Sequence, residues 1–182
     1  MNTILKEYEN IALSDTNLLN LVSKKANIIL YPSLINYKTI EDVIGPHKAT
    51  FLLFEAKKHY GHWCLIFQQN EHIIEFFNPY GGYPDDSLEY IDMEYREKSN
   101  QVHTYLSKLL FNSRYQLTYN EFDFQKHNPN IKTCGRWCVV RLLLRNLDLY
   151  QFKKYIDNMK KDLNLDGDKL VTLLTMYINN KK

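Results

Sequence analysis

In the stretch NIKTCGRWCVVRLLLRN, residues 130–146, a polar, turn-prone run ends at Cys134-Gly135 and an apolar segment with helical spacing begins at once. A cysteine at the start of a helix faces unpaired backbone N–H groups and the positive end of the helix dipole, which favour thiolate over thiol. Gly135, lacking a side chain, would let the backbone approach a substrate closely. Standing alone, such a cysteine reads as a small core residue. A base and an oxyanion donor are what would make it a nucleophile.

Six histidines could supply the base. His47 lies beside a proline turn, His72 starts a strand after a turn, and His103 falls in a surface-type helix. His59 and His127 fall in polar loops. His62 differs, because YGHWCLIF places it at the first residue of an apolar strand, after a glycine and beside Trp63, a bulky residue able to wall off a cleft. A group accepting the other ring N–H should orient that imidazole. EFFNPYGG offers Asn78 at the end of the next strand, where a hairpin of this length brings it near His62. Read by itself, Asn78-Pro79 is only a turn starter. For the oxyanion, Gln125 stands nine positions before Cys134 and could donate together with the Cys134 backbone N–H. His127 and Asn128 are rivals in the same loop.

These residues need a scaffold. Residues 1–25 read as helical, with a cap at Ser14 or Asp15, and a short helix near 40–44 is stopped by Gly45-Pro46. ATFLLFEA, HWCLIFQQ and HIIEFFNPYGG read as strands, the last two a hairpin. An amphipathic helix is expected over about 93–111, a strand over 115–125, and C-terminal helices over about 149–161 and 168–178. In the Cys134 helix, Val139, Val140, Leu142, Leu143 and Leu144 cover most of the circumference, so it should be central and packed on several sides. Arg136, Arg141 and Arg145 should reach its edges or find partners. The sum is one α+β domain over 1–182, with a small mixed sheet packed on the helix that starts at Cys134 and further helices flanking it.

GHW, an acid or amide at the end of the next strand, a glutamine, and then CG opening a buried helix together resemble the adenovirus endopeptidase and the SUMO-deconjugating proteases. The similarity covers about residues 50–146 and is carried by His62-Trp63, FFNPYG, Gln125 and TCGRWC. Within that superfamily the chain looks most like the compact maturation proteases of large DNA viruses and virophages. The resemblance implies a papain-like fold of adenain type, with Cys134 as nucleophile, His62 as base, Asn78 as third triad member and Gln125 in the oxyanion hole. It also implies a preference for small residues, glycine above all, before the cut, since a tunnel walled by Trp63 excludes side chains. Two departures stand out. The third position is more often Asp or Glu, and the glutamine usually lies six or seven residues before the cysteine, so His127 or Asn128 could hold its place.

The expected function is therefore a thiol endopeptidase, without cofactor, that processes viral capsid or core precursors. The alternative is removal of SUMO, ubiquitin or a related modifier, which the same residues would perform. A third reading, a structural zinc module on Cys134, Cys138 and a histidine, lacks any CxxC or paired Cys/His cluster. Cys138 reads instead as packing one turn below Cys134, and Cys64 as a buried strand residue. A formal charge of +2 does not imply nucleic acid. The adenovirus enzyme is stimulated by DNA and a peptide, but nothing in this charge balance indicates either as a partner. Three cysteines leave at least one unpaired. No signal peptide is visible in MNTILKEYEN, and no apolar run approaches the ~20 residues of a membrane span. The expectation is an intracellular monomer, in host cytoplasm or viral factory and in the virion if viral.

Overall fold

The computed structural model describes residues 2–180. At its centre β2 (Ala49–Lys57) and β3 (Tyr60–Gln68) form an antiparallel hairpin, and β3 pairs antiparallel with β4 (Ile73–Phe77). Parallel strands flank this trio, β1 (Asn27–Leu30) beside β2 and β5 (Gln116–Tyr119) beside β4, giving a five-stranded mixed sheet in sequence order. Successive side chains point to opposite faces, and both faces are covered. Phe51, Leu53, Trp63, Leu65, Phe67 and Phe77 enter one apolar core. Leu52, Phe54, Cys64, Ile66, Ile74 and Phe76 enter the other. Double burial is why these strands read as nearly continuous apolar runs.

Near the N-terminus, α1 (Asn2–Glu9) is followed by α2 (Asp15–Leu21), which is opened by a capping box on Ser14. A second capping box, on Thr39, opens α3 (Ile40–Ile44), which ends at Gly45. The expected helix over 93–111 is two pieces, α4 (Met93–Lys98) and α5 (Tyr105–Phe111). The break has a cause: Asn100 takes a left-handed conformation, and Gln101 turns inward to hydrogen-bond the backbone of Glu55 on β2. The strand expected over 115–125 stops at Tyr119, because Asn120 leaves the ladder and bonds the backbone of Asn78 and Phe122. Phe124 then packs against Phe77, Trp137 and Phe152. Strand β1 falls where no strand was expected.

Against the first face lies α6 (Cys134–Leu143), flanked by α2, α7 (Leu149–Leu163) and α8 (Gly167–Asn180). Every residue of α6 from Cys134 to Leu142 is buried. Leu143 departs from the expected pattern and is 46% exposed. Arg141 is wholly buried and meets Glu75 of β4 through two bonds of 2.7 Å, with Phe67 and Phe152 against its guanidinium. That bidentate pair ties the helix to the sheet at a fixed register. Arg136, also buried, donates to Thr175 of α8 and to the Tyr8 carbonyl.

Candidate active site

His62 enters the site from the start of β3. Gly61 before it is required by close approach: a Cβ there would sit 1.8 Å from the Phe54 carbonyl oxygen across the hairpin. The β2 side of this hairpin carries an irregularity between Glu55 and Lys57 at the same place. Asn78 follows β4 directly, and Asn120 holds its backbone N–H and carbonyl. The Asn78 side chain is buried, with Oδ1 2.8 Å from His62 Nε2 and 3.0 Å from the Tyr80 backbone N. Its Nδ2 donates to the Gly81 carbonyl and to Ser87 Oγ. With its hydrogens committed there, Asn78 can only accept from His62, so Nε2 carries the ring proton and Nδ1 offers a free lone pair.

Cys134 begins α6 and lines, with His62, a cleft of about 400 Å³ whose walls include Tyr60, Tyr80, Gln125 and Ile131. Burial pushes its thiol pKa up, more strongly than the backbone N–H groups of Trp63, Gly135 and Cys134 itself pull it down. This reverses the expectation that the helix start alone would favour thiolate. Burial likewise lowers His62 to about 4, against the opposing bond to Asn78, with His127 adding to the fall. The resting pair is thus neutral thiol and neutral imidazole.

Gln125 is buried and lines the same cleft, its backbone N donating to the Pro79 carbonyl. Its Nε2 donates to Tyr80 OH at 3.0 Å and to the Ile131 carbonyl at 3.1 Å, which commits both amide hydrogens; its buried Oε1 has no partner among the described residues. The rivals His127 and Asn128 also line the cleft but are exposed, His127 bonding Asp123 at 3.0 Å and Asn128 accepting from the Asn130 backbone. Trp63 is buried and donates to the Leu13 carbonyl. It lines a second groove, which shares Ala12, Tyr60 and Gly61 with the cleft. Gly135 is buried, and a Cβ there would meet Leu18, Trp63 and Leu13, so its lack of a side chain lets α2 pack against the helix start.

Two participants were not foreseen. Tyr80 stacks between His62 (ring centroids 4.6 Å apart) and His127 (4.5 Å). Asp168, fully buried at the start of α8, accepts from Thr133 Oγ1, from Trp137 Nε1 and from the Lys126 backbone, so it braces both the loop after Gln125 and the turn before Cys134. The run NPYGG carried the signal for Tyr80. Asp168 gave none beyond marking a helix start. Among the described residues, no group of three or more His, Cys, Asp or Glu is placed to hold a metal ion, and no helix is long and apolar enough to cross a membrane. All three cysteines are free and buried.

The fold is mixed α+β, a five-stranded mixed sheet with helices on both faces, and His62, bonded to Asn78, shares a cleft with Cys134. The chain belongs to the family of protein V9 of the Sputnik virophage, an uncharacterized protein to which it is 56% identical over 172 residues, covering 94% of this chain and 98% of V9. No family model matches the sequence. Among solved structures, the central domain of the uncharacterized Lpg1148 protein from Legionella pneumophila aligns over 93% of this chain and 98% of its own, at 12% identity and a TM-score of 0.41, too low to define a shared fold.

Proposed function

We propose that this protein is a cysteine endopeptidase of the papain-like superfamily, adenain type, that processes viral capsid or core precursors after small residues such as glycine. One observation carries the reading: His62, oriented through Nε2 by Asn78 at 2.8 Å, shares a cleft with a cysteine at the start of a buried helix. The Cys134 thiol attacks the scissile carbonyl as His62 Nδ1 takes its proton. His62 returns that proton to the leaving amine, and water activated by the same imidazole releases the acyl group. Because both partners rest neutral, the proton moves during attack and not beforehand. The groove bordered by Trp63 shares Ala12, Tyr60 and Gly61 with the cleft and offers room for a substrate strand beside Cys134, and the preference for glycine follows from the resemblance. A virophage relative supports a viral precursor as substrate and an intracellular setting in host cytoplasm or viral factory.

The test is cleavage-site mapping on capsid and core precursors from the same genome, beside SUMO and ubiquitin conjugates. Cutting of a precursor after glycine is the expected result. Cutting of the modifier conjugates alone would replace this reading with deconjugation.

A further inference from the structure

We propose that the Tyr80 hydroxyl, and not the Gln125 amide, supplies the side-chain hydrogen bond to the oxyanion in the reaction proposed above, on which this assignment rests.

Gln125 has a donor problem. One Nε2 hydrogen goes to the Ile131 carbonyl, in the loop leading to Cys134, and the other to Tyr80 OH. The Ile131 contact fixes the amide's orientation, since a turned amide would set Oε1 against that carbonyl oxygen. No amide hydrogen remains for a substrate. Tyr80 OH is placed differently. It accepts from Gln125, and its own proton has no acceptor among the described residues. Accepting one bond polarises the hydroxyl and strengthens it as a donor.

The position suits the task. Tyr80 lines the same cleft as Cys134 and His62, and its ring lies nearly parallel to His62, 17° between planes. Burial, then the neighbouring Cys134 sulfur and Asp168, push its phenol up to about 12, so the proton stays on the oxygen through the neutral range. Held by stacking on both faces and by Gln125, the hydroxyl is preorganised, which is what makes an oxyanion donor effective. In the step itself the sulfur–carbon bond forms as the carbonyl π pair moves onto oxygen. The thiol proton passes to His62, and Tyr80 donates a hydrogen bond to the new oxyanion without giving up its proton. As the carbonyl re-forms, the leaving group departs with its bonding pair and the His62 proton. Gln125 then acts as a positioning residue behind Tyr80.

The experiment separates chemistry that develops an oxyanion from chemistry that does not. Acylation of Cys134 by p-nitrophenyl acetate passes through a tetrahedral oxyanion, whereas alkylation by iodoacetamide displaces iodide directly. Wild type and Tyr80→Phe are compared with both reagents, each adduct being located by mass spectrometry. The expected result is acylation of Tyr80→Phe slowed by about 10²–10³-fold with alkylation unchanged. Unchanged acylation overturns the assignment, and so does an equal fall in both rates, which would make Tyr80 only a support for His62. If wild-type Cys134 takes neither reagent ahead of Cys64 and Cys138, the protease reading itself fails and this assignment with it. Should Tyr80→Phe not fold, 3,5-difluorotyrosine at position 80 keeps ring and hydroxyl but ionises at lower pH. Acylation should then drop as that phenol loses its proton, and a wild-type pH profile would overturn the proposal.

Discussion

His62 Nε2 lies 2.8 Å from Asn78 Oδ1, and Asn78 arrives there with both amide hydrogens already given to Gly81 and Ser87. The amide is therefore chosen for its two ends together. An aspartate would orient the imidazole equally well, but it would set its second oxygen against the Gly81 carbonyl. Asn78→Asp is expected to lose both activity and stability. Asn78→Ala should be milder than His62→Ala, which removes the proton carrier and should cost about 10²–10⁴-fold in kcat. Steady-state kinetics of the three variants, with circular dichroism to verify folding, decides the order. A fully active Asn78→Asp would mean that the Gly81 and Ser87 contacts do not constrain the site.

The strand carrying His62 depends on Gly61. Gly61→Ala would place a methyl 1.8 Å from the Phe54 oxygen and 2.9 Å from the Ala56 nitrogen, both backbone atoms, so the hairpin end must shift. The variant should fold with a lowered melting temperature and little activity, because small misplacements of a base cost heavily. Wild-type turnover in Gly61→Ala would show that the hairpin end moves without moving His62.

Cys134 rests as a thiol, and its alkylation should follow pH accordingly. Burial raises all three cysteines, Cys64 and Cys138 well above the free value, and at 8% exposure Cys134 is the most accessible. Iodoacetamide should therefore strike Cys134 first, at a rate still climbing through neutral pH as thiolate accumulates. His62 gives the complementary limb. Its folded value of about 4 lies below the ordinary ~6.5, so the native state binds fewer protons than the unfolded chain between those values. The stability it contributes is complete above ~6.5 and is lost as pH falls toward 4. Thermal denaturation of wild type against His62→Gln should diverge across that window. A flat alkylation rate near neutrality would instead reveal a preformed thiolate–imidazolium pair.

Much of this was legible from sequence where local pattern decides. The cap at Ser14, the breaker Gly45 and the aromatic and branched runs of β2 to β4 marked elements directly, and the hairpin length alone brought Asn78 toward His62. What escaped depends on contacts distant in the chain. Gln101 breaks a helix by reaching Glu55, Asn120 ends a strand by reaching Asn78, and Asp168 braces a loop some forty residues earlier. The reactive state of Cys134 escaped for another reason: a helix start is visible in sequence, but the degree of burial that overrides it is not.

The central helix makes a paired prediction. Leu142 is buried at 5% exposure while its neighbour Leu143 is 46% exposed. Leu142→Ala should cost about 2–5 kcal/mol and reduce activity by lowering the folded fraction. Leu143→Ala should stay within about 0.5 kcal/mol of wild type. Urea unfolding of both variants measures the difference, and equal costs would mean that the helix is rotated from the orientation described.

In the proposed reaction Cys134 forms a covalent acyl intermediate that His62 helps to make and to hydrolyse. Its most direct test is acid quenching of the protein during incubation with a capsid precursor, followed by peptide mass spectrometry. A thioester on Cys134 carrying the fragment before the cut is expected, absent from Cys134→Ala and strongly diminished in His62→Ala. Precursor cleaved equally by Cys134→Ala, or an acyl group carried by any other residue, would contradict it.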